Sequence, residues 1–169
     1  DPALIADDDA TGGRRHSSTR ILMEGNGLLR AIEESGAEAR FFDDDGFDDG
    51  YVEATMPALT SWRRPPMIAR AITEVDHIVY LPRLASHVLT GYTHGHKLAV
   101  GWMRDDTRHA MHFEAGAIYE KYTEVNYCEQ LRSRLRLVVT LAEQVLVDGG
   151  PDSGTFATPT TPIVLASAH

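Results

Sequence analysis

Cysteine, long apolar runs and clusters of basic residues are all scarce in this sequence of 169 residues. The lone Cys128 rules out an intrachain disulfide, a structural zinc site built from several cysteines and an iron–sulfur cluster held by this chain alone. No stretch approaches the roughly 18 uninterrupted apolar residues that span a bilayer, so we predict a soluble protein with no membrane partner. Lysine and arginine occur at most in pairs and total 16 against 25 aspartates and glutamates, which gives a net charge of −9. This balance argues against nucleic acid as a partner.

The first 18 residues contain few large apolar side chains and carry an aspartate triplet and a glycine pair. We predict that residues 1–18 form a flexible N-terminal segment and that residues 19–169 form a single domain. The acidic start differs from the basic and then apolar start of a signal peptide, so a cytoplasmic location is predicted. A signal removed upstream of Asp1 remains compatible with the sequence.

Helix and strand patterns alternate in the first half of the chain. Apolar residues recur at helical spacing from position 19 to Gly36, with a break predicted at Gly25-Asn26-Gly27. A short strand over residues 37–42 follows. Proline is tolerated in the first turn of a helix, so Pro65-Pro66 predicts a second helix, reaching Glu74.

A second apolar strand, over residues 76–81, completes a repeated helix–strand order. That order predicts an α/β fold with a mainly parallel sheet flanked by helices, in which ligands gather beyond the carboxyl ends of the strands. The remaining expectations are a helical region over 110–131, two strands within 135–148 separated by a kink near Glu143, and a final strand over 163–167.

The segment that follows residue 81 gathers polar groups around glycine. It offers the cation of Arg83, the imidazole of His87, several hydroxyls and the ammonium of Lys97. These groups suit a carboxylate or phosphate ligand. The alternative is a surface loop whose hydroxyls cap the next helix.

The run from residue 79 to 101 also resembles the pattern of domain-of-unknown-function family 362. Matching residues stand in the family's order and spacing at Pro82, His87, Leu89, Thr90, Gly91, Thr93, Lys97, Gly101 and His112. Weaker similarity covers residues 28–43 and the element Val147-Asp148-Gly149-Gly150-Pro151. Ala85 and Leu98 replace a usual lysine and asparagine, and the family's usual first strand and closing Asp-containing segment have no counterpart, so we expect a fragment or a diverged member.

The resemblance implies an α/β domain without naming a reaction. Some relatives carry ferredoxin-like iron–sulfur modules, which implies redox contexts and a redox partner protein for the family. Cys128 alone cannot hold such a cluster here.

Histidine is abundant, and five of the eight histidines lie between positions 87 and 112. His94 and His96 form an i,i+2 pair, whereas His109 and His112 form an i,i+3 pair that would share one helix face. Imidazole favours zinc, nickel, copper or iron, and a carboxylate from Asp105, Asp106 or Glu114 would complete a site. The alternative is that these histidines are exposed to solvent, or are buried in the core with their ring nitrogens hydrogen-bonded.

Two carboxylates end predicted strands. Asp43 and Asp148 would face the same crevice as His87, and together such groups could perform general acid–base chemistry. The acidic loop over residues 43–49 does not fit a calcium-binding EF-hand, because Phe41 and Val52 fall where that template requires Asp and Glu.

Two hypotheses follow, with a purely structural domain as a third outcome. In the first, a crevice binds a small anionic ligand and His87 and Asp148 are the catalytic candidates. Its ligand-binding residues are Arg83, Thr90, Gly91, Thr93 and Lys97. In the second, a non-catalytic module holds a transition metal beside a redox partner through His94, His96, His109 and His112.

Overall fold

The computed structural model describes residues 19–58, 61–113, 115–150 and 153–168. The chain divides into two compact units, Asp1–Gly50 and Tyr51–His169. Each unit is described by itself.

Two short helices dominate the described part of the first unit. The helices are α1 (Thr19–Gly25) and α2 (Leu28–Glu34), and the predicted break between them is confirmed at Asn26-Gly27. Gly27 has a positive φ of 79°, a conformation that side chains other than glycine rarely adopt. The chain therefore cannot continue one helix through this position without strain.

The strand predicted over residues 37–42 does not form. Residues 37–41 belong to no helix or strand, and a 3₁₀ helix follows at Phe42–Asp45. Phe41 is instead buried, with the guanidinium of Arg20 lying 4.3 Å from the centre of its ring. Asp43, predicted to end that strand, accepts a hydrogen bond of 3.1 Å from the backbone N–H of Thr19 at the start of α1. Its carboxylate thus satisfies a helix terminus.

The second unit contains three small sheets. Their orders are β1-β2, β3-β6-β9 and β5-β4-β7-β8. The strands are β1 (Tyr51–Glu53), β2 (Met67–Ala69), β3 (Ile78–Tyr80), β4 (Ala85–His87), β5 (Gly91–Thr93), β6 (Leu135–Ala142), β7 (Val145–Gly149), β8 (Gly154–Ala157) and β9 (Ile163–Ala168).

The expected mainly parallel sheet is wrong, although the chain is α/β in the broad sense. Among the described residues, β3–β6 and β4–β7 pair in parallel, and the other four strand pairings are antiparallel. Short connections explain the difference, since parallel neighbours need a long crossover whereas a tight turn returns the chain antiparallel. Residues 88–90 form such a turn between β4 and β5.

Several local predictions are confirmed in this unit. Strand β3 lies within residues 76–81, β6 and β7 are separated at Glu143-Gln144, and β9 covers the final predicted strand. The helix predicted from the proline pair is wrong in part, because β2 and a 3₁₀ helix at Arg70–Glu74 occupy that segment.

Helices α3 (Asp105–Phe113), α4 (Ile118–Asn126) and α5 (Glu129–Arg132) surround the core of the second unit. They bury Met111, Val125 and Leu131, together with Ile68 and Ile72 from the segment before β3. Removing such side chains from water is the main stabilising contribution. Within the described ranges, no helix is long and apolar enough to cross a membrane.

Candidate functional site

The tight turn between β4 and β5 fixes the imidazole of His87. His87 ends β4 and is only 7% exposed. Its Nδ1 accepts a hydrogen bond of 3.1 Å from the backbone N–H of Leu89. Gly91 follows the turn with a positive φ of 68°, which favours glycine there. The hydroxyl of Thr90 donates to the carbonyl of Tyr92 at 3.0 Å, so Thr90 holds the turn.

Lys97 lies on the 3₁₀ helix Gly95–Trp102, which directly follows the hairpin. Two contacts fix this helix. A Cβ built on Gly95 would lie 3.0 Å from Cγ1 of Val138 on β6, so the backbone packs closely against that strand. The side-chain amide of Asn126, itself 1% exposed, donates to the carbonyl of His96 at 2.8 Å. The half-buried Lys97 is therefore presented from a well-supported segment.

His112 lies in the last turn of α3. Its Nδ1 donates to the carbonyl of Arg108 at 2.7 Å, because a carbonyl oxygen can only accept. Arg108 and His112 are four residues apart and share one face of the helix.

His87, Lys97 and His112 form what we call the basic cluster. Burial, together with the charge of Lys97 and a smaller electrostatic contribution from His112, lowers the pKa of His87 to about 4. Burial also lowers the pKa of Lys97 to about 8. These residues are thus close enough to act on one another electrostatically, and His87 is neutral at pH 7.

No carboxylate compensates this cluster in the described part of the chain. The ammonium of Lys97 has no ion pair or hydrogen bond there. On the same helix face as His112, Arg108 Nε is buried and has no hydrogen-bond partner within the described ranges. Leaving such a donor unpaired is costly, although the same guanidinium lies 3.6 Å from the carboxylate of Asp105 through Nη2.

Arg83 does not belong to the basic cluster. It precedes β4, whereas His87 is the last residue of that strand. Arg83 lines an open cleft of about 630 Å³ near the start of β7. Glu143 and Gln144, from the turn between β6 and β7, share that cleft. Its lining residues are Arg83, Leu84, Ala85, Leu141, Glu143, Gln144, Leu146, Phe156 and Thr158. The structure therefore places Arg83 apart from the basic cluster along β4.

Asp148 lies near the carboxyl end of β7, which pairs in parallel with β4 through Leu146 and Ala85. The side chain of Asp148 is exposed. The backbone beside it approaches β4 closely, since Ser86 donates to the carbonyl of Gly149 at 3.0 Å. Strands β4 and β7 therefore lie side by side, while the catalytic role of Asp148 and its place in one crevice with His87 stay predictions.

The other predicted site residues have separate surroundings. His94 shares a hydrogen bond of 2.8 Å with Thr140, His96 is exposed, and the ring of His109 lies 4.2 Å from that of Phe113. Thr93 pairs with Ala85 across the hairpin. Among the residues that the structure describes, no group of three or more histidine, cysteine or acidic side chains could hold a metal. The metal hypothesis therefore stays a prediction without a described donor set.

Sequence reasoning missed Arg108 and the cleft. The i,i+4 spacing of Arg108 and His112 was a usable signal for a shared helix face. The cleft had no such signal, because its lining comes from strands far apart in sequence.

A protein-family model described as "Domain of unknown function (DUF362)" matches residues 3–169. No curated protein and no solved structure matches the chain.

Proposed function

The chain belongs to the DUF362 family, and we propose that it binds a small anion of the carboxylate or phosphate class at the basic cluster. The observation that carries this proposal is the half-buried ammonium of Lys97, which lies within electrostatic reach of His87 without a carboxylate partner in the described ranges.

Electrostatics favours an anion at this place. The ammonium of Lys97 is partly buried and has no carboxylate partner in the described ranges, so an anion beside it would supply the missing opposite charge. A protein of net charge −9 repels anions in general, so this local cation would direct an anion to the place where it stands.

The neighbouring residues divide into two roles under this proposal. Lys97 and His87 contact the anion. Thr90 and Gly91 act indirectly, because their contacts shape the turn that presents His87. The predicted ligand-binding roles of Arg83 and Thr93 are not part of this proposal, since Arg83 lines the separate cleft.

Calorimetric titration with inorganic phosphate at neutral pH tests the proposal. Lys97→Gln should weaken binding about tenfold or more, because a charge-assisted hydrogen bond is lost. Arg132→Gln is the matched control, since Arg132 is an exposed cation on α5 and its loss should change the affinity by about twofold or less. Equal losses of phosphate affinity in both variants would indicate a non-specific attraction between phosphate and surface cations. Unchanged phosphate affinity in Lys97→Gln would refute the proposed site.

A further inference from the structure

The two ring nitrogens of His87 have different surroundings. Nδ1 accepts the hydrogen bond from the Leu89 backbone N–H, at 3.1 Å. An amide nitrogen can only donate, so Nδ1 must carry the lone pair. The neutral imidazole therefore holds its proton on Nε2.

Nε2 is not sealed inside the protein. Among the described residues, Arg108 Nε is the only fully buried side-chain nitrogen or oxygen without a hydrogen-bond partner. Nε2 of His87 has no partner there either, so it must retain contact with solvent. This N–H is therefore free to donate to a group from outside the protein.

We infer that His87 is a neutral hydrogen-bond donor, which recognises an oxygen of the bound anion through Nε2–H while Lys97 supplies the charge. This inference rests on the proposed function and narrows its ligand class. The ligand is an oxyanion with at least two oxygens, one facing the imidazole and one facing the ammonium.

The donor role differs from the acid–base role predicted from the sequence. A general base needs a lone pair on the nitrogen that faces the substrate, and that lone pair is on Nδ1, where Leu89 occupies it. A general acid needs the imidazolium form, which burial and the neighbouring cations disfavour. The role that remains for His87 is that of a fixed, neutral hydrogen-bond donor.

Two substitutions separate the ring nitrogens. The amide of asparagine reaches the position of Nδ1, so His87→Asn keeps an acceptor for Leu89 and loses the distal donor. The amide of glutamine reaches the position of Nε2, so His87→Gln keeps the donor and loses the acceptor. Calorimetry with inorganic phosphate should give His87→Gln an affinity close to that of the wild type, and His87→Asn one about tenfold weaker.

The reverse order, or equal affinity in His87→Asn and the wild type, would overturn the inference. If Lys97→Gln alone abolishes phosphate binding while His87→Asn retains it, the proposed function stands and the role of His87 falls. If the wild-type protein binds no phosphate, both the proposed function and the role of His87 are refuted.

Nitrogen-15 NMR of the wild-type imidazole makes the test independent of variant folding. We expect an unprotonated Nδ1 and a protonated Nε2 whose signal moves when phosphate is added. A proton on Nδ1, or an Nε2 signal unchanged at saturating phosphate, would contradict the inference.

Discussion

Acidification should destabilise this protein through the buried imidazole of His87. In the unfolded chain, a histidine takes up its proton near pH 6.5. In the folded protein, burial and the positive neighbours lower the pKa of His87 to about 4. The unfolded state therefore binds more protons between these two values, and stability that is fully present above about pH 6.5 is lost as the pH falls towards about 4.

The loss of folding free energy can be calculated from the pKa shift of His87. A change from 6.5 to about 4 corresponds to about 3 kcal/mol at low pH, of which about 2 kcal/mol is lost between pH 7 and pH 5. Protein atoms enclose the imidazole only in part, so solvent screening makes these figures upper bounds.

Urea denaturation at pH 7, 6 and 5, without phosphate or sulfate, measures this contribution. His87→Asn is the comparison, because it keeps an acceptor for the Leu89 N–H and does not titrate. The free energy of unfolding should fall by about 2 kcal/mol more in the wild type than in the variant over this range. Parallel pH profiles, or an NMR titration that gives His87 a pKa near 6.5, would refute the reasoning.

Three further predictions concern other parts of the second unit. Sulfate, whose charge is constant near neutral pH, should bind more weakly as the pH rises through about 8, because Lys97 loses its proton there; calorimetry should show this decline in the wild type and no decline in Lys97→Gln. Gly150→Ala should destabilise the protein by more than about 1 kcal/mol in urea titrations, because Gly150 has a φ of 92° and a Cβ there would overlap the carbonyl oxygen of Ser86; an unchanged midpoint would contradict that packing. Metal analysis of protein purified without a histidine tag should show no stoichiometric transition metal, and a full equivalent that His94→Ala removes would instead support the metal hypothesis.

Local signals in the sequence predicted local structure well. The glycines around Asn26 broke the helix where expected, since a residue at φ 79° ends the regular hydrogen bonding. The kink near Glu143 separated β6 from β7 because the apolar pattern itself is interrupted there.

The arrangement of strands could not be predicted in the same way. Strand pairing depends on partners distant in sequence, such as Leu137 and Ala168 in the β6–β9 pair. The repeated helix–strand order suggested crossovers, whereas the turn before Gly91 returns the chain directly and makes the β4–β5 pair antiparallel.

The site was predictable to the extent that its residues are close in sequence. His87 and Lys97 lie ten residues apart on one hairpin and the helix after it, so sequence order already brought them together. Arg83 is nearer to His87 in sequence, yet β4 holds the two at opposite ends. The spacing of Arg108 and His112 indicates a shared helix face, but the burial of Arg108 Nε depends on packing that no sequence pattern reveals.

A structure determined with inorganic phosphate tests the central claim most directly. The account predicts a phosphate whose oxygens lie within hydrogen-bonding distance of both Lys97 Nζ and His87 Nε2, with Nδ1 of His87 still bonded to Leu89. Phosphate bound beside Arg83 in the cleft, with the basic cluster empty at saturating concentration, would contradict it.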